Sequence, residues 1–281
     1  MSGAAIVGLG AIAGATIFLG LPVGRIRSLS VPLRATLNGL AAGILVFLLW
    51  EVLSHSAEPV EQSLLAATGG SGSWGRFVGL AAVFVIGLAV GLLSLVYYDQ
   101  WMARKVGKKY GPGAMSVAER PTSSRSGMAD PARRLAILIA AGIGLHNLAE
   151  GLAIGQSAAA GEMTLAALLV VGFGLHNATE GFGIVAPLAG GQTRPGWAFL
   201  GLLGLIGGGP TFVGTLIGQS FVNDTVSIAF LALAAGSILY VVAQLLKVGF
   251  KLDQQRALYW GLLGGLLLGI GTDFFLSAAG A

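Results

Sequence analysis

Long apolar runs constrain this sequence more than any other feature. Only 10% of the 281 residues are charged, and mean hydropathy is +0.83. A run of about 20 apolar residues crosses a hydrocarbon core of about 30 Å as a helix, and inside lipid a backbone must satisfy its own hydrogen bonds. The runs are continuous, not alternating, which excludes a transmembrane β-barrel. They predict eight helical spans, over residues 3–20, 35–53, 75–98, 132–160, 163–188, 197–219, 226–246 and 257–275. The expected fold class is therefore an all-α membrane protein with eight transmembrane helices, one polytopic domain over 1–281 with the lipid bilayer as its solvent. The 46 glycines suit close helix crossings through small residues. No basic segment precedes the first run, which reads as a helix and not as a cleaved signal.

Within this apolar background one polar stretch occurs twice. Residues 142–151 read Gly-Ile-Gly-Leu-His-Asn-Leu-Ala-Glu-Gly, and residues 172–181 read Gly-Phe-Gly-Leu-His-Asn-Ala-Thr-Glu-Gly. On a helix, His146 and Glu150 are four residues apart and share a face, with Asn147 nearly on it; His176, Asn177 and Glu180 repeat the arrangement. Polar groups at mid-membrane depth are costly and mark function. Two antiparallel helices joined at Ala160-Gly-Glu162 would set two imidazoles, two carboxylates and two amides against each other. That is a ligand set for a borderline divalent metal ion such as Zn²⁺, Fe²⁺, Mn²⁺ or Cd²⁺, held between the fourth and fifth spans. The chain has no cysteine, so neither a disulfide nor a thiolate site arises.

The charges are distributed unevenly. With the N-terminus outside, eight spans place both termini outside, and every Lys and Arg except Arg76 falls in an inner loop or at an inner helix end. That bias fixes the orientation by the positive-inside rule. The pI of about 9.6 does not signal a nucleic-acid partner, since the bases sit in short stretches between apolar runs. The longest polar stretch, about 99–131, reads as a disordered basic loop in the cytoplasm of a multi-pass cell-membrane protein. Glu51 and His55 lie four apart at the outer end of the second span, followed by Glu58 and Glu61, and Asp273 lies near the outer end of the eighth. They read as an interfacial polar set that collects cations on the outer side. The Gly-Gly-Gly-Pro run at 207–210 is expected to break or kink its helix.

With both triads, the Gly-Gly-Pro run and Ala235-Gly-Ser-Ile-Leu-Tyr-Val241 placed, the chain resembles the ZIP (ZRT/IRT-like) metal transporters, in their short prokaryotic form. The resemblance implies a binuclear site between spans four and five, inward cation transport, an elevator-like alternating access and often a homodimer. It implies His146, Asn147, Glu150, His176, Asn177 and Glu180 as metal ligands. The metal is then a transported substrate and no prosthetic group is implied. Three positions depart from the pattern. Ala149 and Thr179 stand where relatives usually carry Pro before the motif Glu, and Gln244 stands where they often carry a Glu that serves a second metal. A neutral Gln244 implies a weakened second-site ligand.

Two other classes compete. An intramembrane metallohydrolase would need a metal-activated water and a carboxylate base, but the sequence has no His-Glu-x-x-His and its carboxylates read as ligands. A proton-coupled carrier of another solute would use His and Glu as a relay. The duplicated ligand set favours a metal transporter that is not an enzyme.

Overall fold

The computed structural model describes residues 2–25, 30–106, 131–185, 188 and 194–278. Among the described residues every regular element is helical: α1 (Gly3–Ala15), α2 (Ile17–Gly20), a 3-10 turn (Leu21–Arg25), α3 (Val31–Thr68), α4 (Trp74–Val106), α5 (Pro131–Ala160), α6 (Met163–Val185), α7 (Trp197–Gly218), α8 (Asp224–Lys251) and α9 (Gln255–Ala278). Because α1, α2 and the turn follow one another as a single span, the fold has the expected eight helical segments long and apolar enough to cross a membrane.

Four boundaries differ from the sequence expectation. The second helix runs from Val31 to Thr68 and takes in Glu58, Pro59 and Glu61. A proline removes one ladder bond, and the helix formers around it carry the helix on. The basic loop begins later than expected, because α4 continues through Asp99 to Val106; residues 107–130 of that loop lie outside the described residues. Charge marked the edge of the apolar run, but Gln, Met, Ala, Arg and Lys are good helix formers. The expected break at 207–210 is not seen: α7 is unbroken through Pro210. The interruption falls instead in the first span, where the helix gives way at Thr16, whose hydroxyl donates to the carbonyl of Ala13 at 2.7 Å.

Small residues let the helices approach closely. α5 crosses α7 where a Cβ on Gly151 would lie 2.1 Å from the Thr211 carbonyl oxygen, and one on Gly214 would lie 2.3 Å from that of Leu148. α3 and α9 meet in the same way, with Gly43 against Leu262 and Gly265 against Leu40. Without a hydrophobic force between helices in lipid, such van der Waals contact holds the bundle together. α5 and α6 are the most enclosed spans, whereas α4 and α9 present most of their surface outward. All five tryptophans, Trp50, Trp74, Trp101, Trp197 and Trp260, are exposed, as expected of residues that sit at membrane interfaces.

The charged residues sort to the two ends. Arg25, Arg133, Arg194, Lys247 and Arg256 belong to the end where α5 begins and α8 finishes. There Arg25 donates to the Pro195 carbonyl and stacks on Trp197, and Arg133 stacks on Phe199. At the opposite end Arg76 pairs with Asp224 at 3.2 Å on the surface.

Candidate metal centre

The α5–α6 connection is the shortest between long helices. Gly161 takes a left-handed φ of 89°, which closes α5, and Glu162 N–H donates to the Ser157 carbonyl. The two helices therefore run antiparallel, and both polar triads come to one depth. His146 Nε2 lies 3.0 Å from Glu150 Oε1, and His176 Nε2 lies 3.1 Å from Glu180 Oε1. The two imidazole rings stand 5.8 Å apart at 80°. Ligand atoms of His146, Glu150 and His176 all lie within 4.8 Å of one another, the one such buried His/Asp/Glu group among the described residues. Glu180 belongs to the inner edge of the cluster: it meets His176 and lines a small cavity beside His146. None of these four side chains is more than 1% exposed.

The two His–Glu contacts lie within ion-pair distance. Both nitrogens of each imidazole and both oxygens of each carboxylate are buried without a hydrogen-bond partner. A buried polar group left so costs about 1–3 kcal/mol, more when charged, and native structures rarely leave one unpaired. One ligand atom from each of His146, Glu150 and His176 gathers in one small volume, and imidazole with carboxylate is a donor set that fits a divalent ion.

The two asparagines repeat one design. Asn147 Nδ2 donates to the Gly207 carbonyl of α7 at 3.0 Å, and Asn177 Nδ2 donates to the Ala13 carbonyl of α1 at 3.1 Å. Gly207 lies three residues before Pro210 in the unbroken α7, and Ala13 three before the interruption at Thr16. Each amide NH₂ is thus anchored, while Asn147 Oδ1 and Asn177 Oδ1 are buried with no partner. The helices stay continuous where relatives usually carry Pro; at Thr179 the hydroxyl donates to the His176 carbonyl at 2.6 Å.

A cavity leaves the site toward the basic end. Its lining includes Tyr98 of α4, Ile139 and Gly142 of α5, and Tyr240 and Gln244 of α8, all toward the basic end. Tyr98 closes one edge by donating to the Leu138 carbonyl at 2.7 Å. Toward the acidic end, Leu48, Val52, Ile154, Leu169 and Phe173 are buried in the packed core. Gln244 lines the cavity, and it has a neighbour that the sequence did not reveal. Its Nε2 lies 3.4 Å from Asp99 Oδ2. The sequence expectation puts Asp99 at the start of a loop, whereas it stands on α4; the helix-forming run Asp99–Lys105 is the signal for that.

The outer residues also gather at one end. Glu51 and His55 are linked through the Glu51 carbonyl and His55 Nδ1 at 2.9 Å, and Asp273 of α9 lies close enough to act on the Glu51 charge. Glu162 joins them, near His55 and Glu58. Desolvation pushes the Glu162 carboxyl above the ordinary range, Glu58 adds to this and His55 opposes it. These side chains are exposed or half-buried, and they do not bring three ligand atoms together as the buried cluster does.

Eight apolar helices enclosing a buried His/Glu/Asn cluster define a multi-pass membrane protein with a buried side-chain group that could hold a metal ion. The comparison with known families agrees: the model of the ZIP zinc transporter family matches residues 105–268, which hold both triads and Gln244. The match spans more than half of the chain, and the chain belongs to that family of metal transporters. No curated protein matches it.

Proposed function

We propose that the protein carries a divalent cation, Zn²⁺ foremost, from the acidic end to the basic end and so into the cytoplasm across the cell membrane. The observation that carries this reading is the cluster of buried, unpartnered imidazole and carboxylate atoms with a cavity on its basic side. His146, Glu150, His176 and Glu180 are the ligands, with Asn147 and Asn177 as oxygen donors at the edge. Two carboxylates neutralise an ion that would otherwise be prohibitively costly at mid-membrane depth. Imidazole with carboxylate suits Zn²⁺ and also admits Fe²⁺, Mn²⁺ or Cd²⁺. The basic end faces the cytoplasm by the positive-inside rule. Glu51, His55, Glu58, Asp273 and Glu162 raise the local cation concentration at the outer mouth.

The asymmetry of the packing supports an alternating-access cycle. Leu48, Val52, Ile154, Leu169 and Phe173 are buried on the outer side, while the inner cavity reaches His146 and Glu180, which supports an inward-facing form. An outward-facing form must part those side chains. The imidazoles must be neutral and the carboxylates ionised to hold the ion, so uptake falls as external pH is lowered. Uptake of radioactive zinc into proteoliposomes, with unlabelled Fe²⁺, Mn²⁺ and Cd²⁺ as competitors, tests the reading. Saturable zinc flux is expected, and no flux of any of the four would sink it.

A further inference from the structure

At the acidic end Arg76 has a carboxylate partner, Asp224. Three arginines at the basic end do not. Arg25, which closes the 3-10 turn, donates to the Pro195 carbonyl, and its guanidinium lies 4.6 Å from the centre of the Trp197 ring. That contact sets it beside Arg194, the exposed residue before Pro195. The Arg133 guanidinium of α5 lies 4.8 Å from the centre of the Phe199 ring. Among the described residues none of the three makes an ion pair, and neither α5 nor α7 carries an acidic residue in its first turn. The described acidic residues of this end, Asp99 and Asp253, stand on α4 and after α8, and the base that acts on Asp99 is Lys247. Like charges gathered around the start of one helix repel, and nothing within the fold offsets them.

We infer that Arg25, Arg194 and Arg133 seat the headgroup phosphate of an anionic phospholipid at the basic-side membrane interface, with an acyl chain along the outward face of α7. Trp197 and Phe199 are two residues apart, so about 200° of helix turn separates them. The exposed Leu202, Leu205, Phe212 and Leu216 all project within that interval, so the two stacked arginines flank the apolar face. On the Trp197 side the face continues into a seam with the first span, where the Phe18 ring fills the space over Gly204 and Leu19 is exposed. A guanidinium binds phosphate oxygens through two parallel N–H donors while its flat face stacks on an aromatic ring. Trp197 is 62% exposed, as suits a ring at headgroup level. Basic clusters between helices at that level recognise anionic headgroups, whereas a zwitterionic headgroup brings a cation of its own toward the arginines. The lipid would also join the first span to α7, whose Ala13 and Gly207 carbonyls brace Asn177 and Asn147.

The competing explanation is diffuse: the arginines only orient the chain in the membrane and meet no particular lipid. Native mass spectrometry of the purified full chain in detergent, titrated with phosphatidylglycerol or with phosphatidylcholine, separates the two. The wild type should retain phosphatidylglycerol at least about tenfold more tightly than phosphatidylcholine. Arg25→Gln/Arg133→Gln should lose about tenfold or more of the phosphatidylglycerol affinity, and Arg194→Gln alone about fivefold. Arg34→Gln/Arg256→Gln removes the same charge from the same end, at the starts of α3 and α9, and should stay within about twofold of wild type. Because Arg194 is exposed, its variant keeps the fold and decides the matter alone should the double variant not fold. Phosphatidylglycerol should also raise the thermal midpoint of the wild type more than that of Arg194→Gln. Equal retention of the two lipids, an equal loss in the control pair, wild-type affinity in Arg194→Gln, or displacement of the lipid by inorganic phosphate at equal concentration would overturn the inference.

Discussion

Replacing Glu150 by Gln separates charge from shape at the metal centre. The side chain is fully buried, and its Oε1 lies 3.0 Å from a His146 nitrogen that is equally shielded. Water cannot take the place of the lost charge, so the cost belongs to the desolvated regime, not to the surface one. Removing one partner of a buried charge pair costs about 2–5 kcal/mol. At about 1.4 kcal/mol per factor of ten, zinc affinity should fall about 30- to 4,000-fold. The same change at the exposed Glu58 belongs to the screened regime, and there the loss should stay within about fivefold. Competition against a fluorescent zinc chelator on purified protein measures both, and circular dichroism verifies that Glu150→Gln keeps its helices. Uptake in proteoliposomes should follow the same order. An affinity of Glu150→Gln within fivefold of wild type, or a larger effect at Glu58, would refute the assignment of Glu150 as a ligand.

Three further outcomes test other parts of the structure. Gly151→Ala puts a Cβ 2.1 Å from a backbone oxygen of α7, so the two helices must separate; a loss of about 1–3 kcal/mol is expected, read as a lower thermal midpoint in detergent. Glu162 has its carboxyl pushed above the usual glutamate value by desolvation and by Glu58, so the folded state takes up a proton more readily than the unfolded one. The favourable contribution is complete below that value and is lost as pH rises through the raised one; Glu162→Gln should therefore melt slightly higher than wild type at neutral pH, by an amount kept small by solvent screening, and the difference should vanish in acid. The chain has no cysteine of its own, so Ser71→Cys and Ser123→Cys should label oppositely with an impermeant thiol reagent on intact cells, Ser71→Cys from outside. Labelling of Ser123→Cys from outside would reverse the transport direction proposed.

The sequence by itself determined the environment and the chemistry. Eight apolar runs can only be helices in lipid, because no water is there to satisfy a strand edge or a loop. A polar triad repeated inside two of those runs is too costly to keep without function, and its i, i+4 spacing already set His and Glu on one face. The tight turn at Ala160–Glu162 already implies that both triads share one depth. Helix ends were less legible, as α3 and α4 show, since a run of hydropathy stops at the interface while a helix of good formers continues into water. What only the tertiary structure decided is which partners each helix meets. Nothing local in the chain says that Asn147 will brace on Gly207 and Asn177 on Ala13, or that Asp99 will stand beside Gln244; these residues are 60, 164 and 145 positions apart. Such pairs form because glycine crossings bring the helices close enough for short polar side chains to reach a neighbour's backbone, and that proximity is a property of the packed bundle, not of any one segment.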